Sequence, residues 1–308
     1  MKAREFVDLG VETIKEWQQD QAARLAAALA YYTTFSLAPF LVLVIAVAGL
    51  VGGEDAAQGL VMTQIQDLAG REGREFVQSM VENAAVKSTG VTASLLGTVT
   101  LLIGALGAFN ELQNALDRIW DVEPKPIKRL SLRAKRFIFK RLLSFSLVLG
   151  IGFLLLVSLV ISAALAALGD YLSGLPFFSE LILQILHLII SLGLITLLFA
   201  MIFKFIPDIE IAWRNVWLGA ALTAILFTIG KTLIGVYLGQ TEVGSTFGAA
   251  GSLAVLMIWI YYSSQILFLG AEFTQVFTKR SGVRPPPDEN ALKVKRSKQV
   301  LTAESTRT

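Results

Sequence analysis

Uncharged apolar runs alternate along the chain with short charged segments. The runs cover residues 25–53, 88–110, 142–169, 181–203, 215–241 and 249–271, the fifth interrupted once, by Lys231. A helix rises about 1.5 Å per residue, so about 20 residues cross roughly 30 Å of hydrocarbon. Backbone amides in lipid need partners within their own segment, which makes helices of such runs. The pattern predicts an all-α, polytopic membrane protein with six transmembrane helices.

Three further segments alternate with helical period but carry charge on one side, which predicts amphipathic helices at the interface. On residues 4–20, Phe6, Val7, Gly10, Val11, Ile14 and Trp17 share a face opposite Glu5, Asp8, Glu12, Lys15 and Glu16. In the loop after the first run, Val61, Ile65 and Leu68 form one stripe and Phe76, Val77, Met80, Val81 and Ala84 another, with Gly70 and Gly73 between. These two stripes are expected to rest on the outer leaflet or to roof a cavity between spans. The sequence Arg284-Pro285-Pro286-Pro287 stops any helix, and the polar residues beyond read as disordered. The organisation expected is an interfacial helix over 1–24, a membrane domain over 25–278 and a charged cytoplasmic tail over 279–308.

Charge orients the spans. Cytoplasmic loops carry the excess of Lys and Arg. The segment 124–141 holds Lys125, Lys128, Arg129, Arg133, Lys135, Arg136, Lys140 and Arg141 with no acidic partner. With both termini inside, only Arg71, Arg74 and Lys87 of the 27 basic residues fall outside and only Lys231 within a span. The basic segment is read as a contact for anionic lipid, worth roughly 1 kcal/mol per residue near the surface, and not for nucleic acid. Trp17, Trp120, Trp213 and Trp217 fall at the expected inner interface, whereas Trp259 lies mid-span.

Composition narrows the chemistry. Hydrophobic residues make up 54% of the chain and charged ones 17%, with a mean hydropathy of +0.63. There is no cysteine and one histidine, His187, so thiolate chemistry and multi-histidine metal centres are excluded. His187 is read first as a packed or hydrogen-bonded side chain and second as a relay. No catalytic residue, metal site or cofactor is expected, and the protein is not read as an enzyme.

The candidate substrate path is built from polar residues inside the runs. Lys231 lies 17 residues past Arg214, about 25 Å along a helix. A lysine at that depth costs a few kcal/mol unless it pairs, snorkels or meets water. Residues of the sixth run at the same level, Trp259 to Ser263, offer rings and hydroxyls but no carboxylate. Nearer the inner end lie Tyr31 and Tyr32, then Pro39, expected to kink or weaken its helix. Asn110, Asn114, Asp117 and Asp121 share a helical stripe, and Gln265 and Glu272 stand two turns apart. These residues line an inner vestibule or bond helix to helix. Gly235 and Gly239 have the spacing that lets helices approach closely.

The stretch Ala27-Ala28-Leu29-Ala30-Tyr31-Tyr32-Thr33-Thr34-Phe35-Ser36-Leu37-Ala38-Pro39 resembles the opening signature of the YihY/BrkB family of bacterial inner-membrane proteins. Ala108-Phe109-Asn110-Glu111-Leu112-Gln113-Asn114-Ala115-Leu116, Phe205-Ile206-Pro207-Asp208, Gly230-Lys231, Phe247-Gly248-Ala249-Ala250-Gly251, Trp259-Ile260-Tyr261-Tyr262 and Gly270-Ala271-Glu272 are similar to its later motifs. The resemblance covers roughly residues 5–280. It implies a six-span protein of the cytoplasmic membrane, suspected in transport or envelope lipid homeostasis. Some members carry a virulence-factor name, and the family once bore the label ribonuclease BN. A metallonuclease needs ligands this chain lacks. The expected function is a transporter or lipid exporter; the alternative is a non-transporting scaffold or regulator that binds anionic lipid or protein partners. Membrane lipids and a transported substrate are the expected partners, with homo-oligomerisation left open.

Overall fold

The computed structural model describes residues 3–84, 107–126, 180–240, 250–288 and 291–294. In chain order these form α1 (Ala3–Gln19), α2 (Ala22–Gly52), α3 (Glu54–Ala84), α4 (107–119), β1 (Val122–Pro124), α5 (Glu180–Phe205), α6 (Trp213–Gln240), α7 (Gly251–Arg280) and β2 (Ala291–Lys293). Helices α2, α5, α6 and α7 are each long and apolar enough to cross a membrane. They coincide with the first, fourth, fifth and sixth runs. The third run and nearly all of the second lie outside the described residues, as do most of the basic segment 124–141 and the stretch 241–249.

Chain breaks fall where the backbone turns left-handed. Gln21 (φ 57°) separates α1 from α2, and Gly53 (φ 87°) separates α2 from α3. At Gly53 the reversal is tight: a side chain at Gly49 would stand 3.1 Å from the Cα of Glu54. Helix α2 continues through Pro39; membrane helices tolerate proline where neighbours satisfy the freed carbonyl. Helix α7 continues nine residues past the expected end of its span, to Arg280.

Two cores hold the bundle. One joins α2, α4, α5, α6 and α7 through Ala26, Leu116, Phe203, Val216, Ala220 and Phe268. The other joins α2 and α7 to α3. Met62 and Val77, from opposite sides of the break at Gly70 (φ 75°), are both buried in it beside Leu41, Ile45, Leu256 and Ile260. Val61 and Ile65 of one amphipathic stripe and Phe76, Val77 and Val81 of the other therefore pack against α2 and α7.

Close helix contact is made by glycine, but not at Gly235, which has nothing within 4 Å among the described residues. It falls where α6 crosses α7. A Cβ on Gly219 would lie 1.8 Å from Thr274 Oγ1, and one on Gly270 would lie 1.8 Å from Thr223 Oγ1. Each threonine donates its hydroxyl to the glycine carbonyl one turn back on its own helix, at 2.7 Å.

Helix α1 does more than lie on a surface. Val7, Val11 and Ile14 are exposed, as expected of a lipid-facing stripe, whereas Leu9 and Thr13 are buried and α1 packs on α7. Arg280 fastens the two. Its Nε donates to Glu12 Oε2 at 2.6 Å, and its terminal nitrogens donate to the carbonyls of Glu5 and Asp8 at 3.5 and 3.0 Å. The start of α2 and the end of α7 thus meet at one end of the bundle.

Residues 281–288 and 291–294 depart from the expected disordered tail. Ile209 bridges to Pro287, Glu210 N donates to Pro286 O, and β2 pairs antiparallel with β1. The bonds are made by backbone, so a proline-rich stretch without apolar periodicity docks as readily as a patterned one. Residues 295–308 lie outside the described residues.

A candidate functional site at one end of the bundle

Four segments meet below the helices: α1, the end of α4 with β1, the 206–212 turn, and the end of α7 with residues 281–294. Their geometry begins with α4. It ends at Ile119 and Trp120, and Asp121 takes a left-handed conformation (φ 54°), a common way to stop a helix and free its last carbonyls. Asp121 then serves three partners. Its carbonyl accepts from Val294 N at 2.8 Å, and its carboxylate lies 3.6 Å from Lys279 Nζ and 3.5 Å from Gln275 Nε2. Gln275 Nε2 also donates to the carbonyl of Ile119.

One turn earlier on α4, Asp117 is buried and its Oδ1 accepts from the backbone N–H of Asp208 at 2.6 Å. The Asp208 carboxylate accepts from Gln113 Nε2 at 3.0 Å, and its carbonyl from Asp288 N at 3.0 Å. Lys204 closes the other side of the 206–212 turn, donating to Ile211 O at 2.6 Å and standing 5.9 Å over the Trp213 ring. Burial holds the Glu111 carboxyl above its ordinary range.

The centre of this end is under-satisfied. Among the described residues, buried side-chain atoms without a hydrogen-bond partner are Trp17 Nε1, Arg118 Nε, Asn215 Nδ2, both oxygens of Glu272, Gln275 Oε1 and Trp259 Nε1. All but the last belong to the segments and helix ends that meet here. Glu272 is 0% exposed.

The residues expected to line a path separate into groups. Glu272 lies at the heart of this assembly. Asn110 and Asn114 are exposed on α4, while Asp117 and Asp121 of the same stripe are engaged as above. Tyr31 and Tyr32 are exposed and touch edge to face, 5.7 Å between centroids. Near them Ser36 Oγ accepts from Ala108 N at 3.2 Å, joining the family's first two motifs. Pro39 and Gln265 are half-buried. Lys231 is half-buried on α6, with no ion pair among the described residues. A Cβ on its neighbour Gly230 would lie 2.9 Å from the Tyr262 ring, so residues 259–263 of α7 do stand at its level. Of the basic segment, Lys125 is described and exposed; Lys128, Arg129, Arg133, Lys135, Arg136, Lys140 and Arg141 lie outside the described residues. So does the His187 side chain.

Sequence reasoning missed Gln275 and the Arg280 clasp, and named Asp208 only as part of a family motif. Gln275 stands three residues past Glu272, on the same helical face, and that spacing is the signal that points to it.

The sequence matches the family model described as virulence factor BrkB over residues 13–294. The chain belongs to the BrkB family. The family match ends at the residue whose N–H closes onto Asp121, so the docked segment 281–294 falls within it. A UPF0761 membrane protein of Verminephrobacter eiseniae is 28% identical over 273 residues, spanning 85% of this chain and 60% of the relative. A UPF0761 membrane protein of Tolumonas auensis is 32% identical over 194 residues, spanning 61% of this chain and 59% of the relative. The Bacillus subtilis protein YfkH, named as ribonuclease-like, is 27% identical over 270 residues, spanning 86% of this chain and 92% of the relative. The chain therefore spans about three fifths of some BrkB relatives and nearly all of another. No solved structure matches.

Proposed function

We propose that this BrkB-family protein is a transporter of the cytoplasmic membrane, exporter-like, for an amphipathic substrate with an anionic head such as a lipid. One observation carries the reading: the buried polar atoms of Glu272, Gln275, Trp17, Arg118 and Asn215 that find no partner where the membrane helices meet. Each such group costs about 1–3 kcal/mol when left unmade. A bundle serving only as a scaffold would fill these places with apolar side chains. Sites that break packing rules at such cost are where function is expected. Lys231 supplies the cation for an anionic head, with Tyr31, Tyr32, Asn110, Asn114 and Gln265 along the route. The exposed Lys125 and its basic neighbours in sequence hold anionic lipid on the cytoplasmic side, where charge asymmetry puts both termini. Nucleic-acid hydrolysis is left out of the reading, since no group of three metal-ligating side chains stands together among the described residues.

The test is lipid movement in proteoliposomes of anionic lipid, followed with a fluorescent headgroup-labelled analogue. The wild-type chain is expected to speed transfer between leaflets, and Lys231→Met to abolish the gain while remaining folded and inserted. Equal rates with and without protein would remove the transport reading and leave the scaffold. Full activity in Lys231→Met would remove Lys231 from the path.

A further inference from the structure

Glu272, Gln275 and Trp17 hold four of the buried atoms without a partner: two carboxyl oxygens, one amide oxygen and one indole N–H. The Gln275 amide cannot turn over to relieve this. Its Nε2 is committed to the Ile119 carbonyl and the Asp121 carboxylate, and the flip would aim oxygen at oxygen. Gln275 Oε1 is therefore an acceptor in need of a donor. Glu272, three residues earlier on the same face, is its neighbour on the helix surface. An ionised Glu272 has only acceptors to offer it.

The charged groups that act on Glu272 come from three elements. Glu16 and Asp20 belong to α1 and the turn after it, Asp121 follows α4, and Lys279 belongs to its own helix. Three are acidic and one is basic, and Lys279 is already engaged with Asp121 at 3.6 Å. A carboxylate removed from water with no donor is among the most costly groups a protein can bury. Within a membrane protein such a group pairs, meets water or takes a proton.

We infer that Glu272 is a proton-binding site, holding its proton toward Gln275 Oε1 in the packed bundle. The Glu272 hydroxyl donates to Gln275 Oε1, its neighbour one turn along α7. When water reaches this end, the proton passes to a water molecule and leaves a hydrated carboxylate. A substrate path through the inner end thereby gains a group whose charge changes as the end opens.

The experiment is infrared spectroscopy of the full chain in lipid, which reads the proton without reference to any substrate. Its failure is thus distinguishable from failure of the transport reading. The wild-type protein at neutral pH is expected to show the carbonyl band of a neutral carboxylic acid that shifts in heavy water. Glu272→Gln is expected to lose that band and to keep the wild-type thermal midpoint, because the amide reproduces the donor and acceptor of the neutral acid. Glu272→Asp, with a shortened side chain, is expected to shift or lose the band. Absence of the band, or its persistence in Glu272→Gln, overturns the assignment. So does a Glu272→Gln chain that fails to fold. A sodium-dependent rise in the midpoint of wild type but not Glu272→Gln would overturn it in favour of a metal cation.

Discussion

Replacing Gly219 by alanine tests how α6 and α7 are held together. The added Cβ would stand 1.8 Å from Thr274 Oγ1, 2.9 Å from its Cβ and 3.2 Å from its Cγ2. Rotating Thr274 moves its Oγ1 but not its Cβ, and breaks the 2.7 Å bond to Gly270 O. The helices must therefore part. Overpacking of this kind costs typically 1–3 kcal/mol, and the lost hydrogen bond about 0.5–1.5 kcal/mol more. The sum is about 1.5–4.5 kcal/mol. Gly270→Ala meets Thr223 at the same 1.8 Å and should cost the same. Gly235→Ala is the control. With nothing within 4 Å among the described residues, alanine should gain up to about 1 kcal/mol of helix propensity.

The assay is thermal unfolding in mild detergent, with size-exclusion profiles to confirm dispersity. Gly219→Ala and Gly270→Ala should each lower the midpoint by several degrees, and Gly235→Ala should not. Thr274→Gly in the Gly219→Ala background empties the space the new methyl needs, so the pair should lose less than the sum of its singles. If Gly219→Ala melts within about 0.5 kcal/mol of wild type, a margin ordinary for a neutral surface change, the reciprocal contact does not hold the helices and the reasoning fails.

Arg280→Ala should release α1 from α7, seen as faster amide exchange over residues 5–16 with α7 unaffected. The Arg280–Glu12 pair is partly exposed, at 37% and 39%, so the loss should be about 1 kcal/mol or less. Single cysteines at Ser131 and Ser173 should differ toward an impermeant thiol reagent in cells with a permeabilised outer membrane; labelling at 131 and not at 173 would invert the proposed orientation.

What was legible in the sequence was what lipid enforces. Hydrocarbon excludes charge over a fixed thickness, so α2, α5, α6 and α7 are marked by uncharged runs, and their ends are misplaced only where the helix leaves the membrane. The last two residues of α7, Lys279 and Arg280, read as the start of a tail because charge marks the end of lipid and not the end of a helix. The segment 281–294 is illegible for a related reason. It is held by the backbone of Glu210, Asp208 and Asp121, and backbone bonds leave no side-chain period. The α6–α7 crossing was legible in kind but misplaced. Gly219 and Thr223 are small and one turn apart, as are Gly235 and Gly239, and only the partner helix's own pair, Gly270 and Thr274, decides between them. Lys231 and Glu272 stood out for charge; Gln275, which fixes the setting of Glu272, has none and did not.

Two kinds of contact divide the bundle, and they answer water differently. The α6–α7 crossing and the α2–α3–α7 core are steric and apolar, and water offers no replacement for them. The seam between the 206–212 turn, the end of α4 with β1, and the docked segment after α7 combines hydrogen bonds with buried apolar side chains, among them Trp120, Val122, Ile206, Ile209 and Ala291. Water can replace the hydrogen bonds at small net cost but not the apolar contacts. On the transport proposal, a path at this end would open by wetting the hydrogen bonds of the seam while α6 and α7 stay locked at their glycines. Water would then reach Glu272, which is buried at the same end, and the proposed release of its proton would accompany the opening.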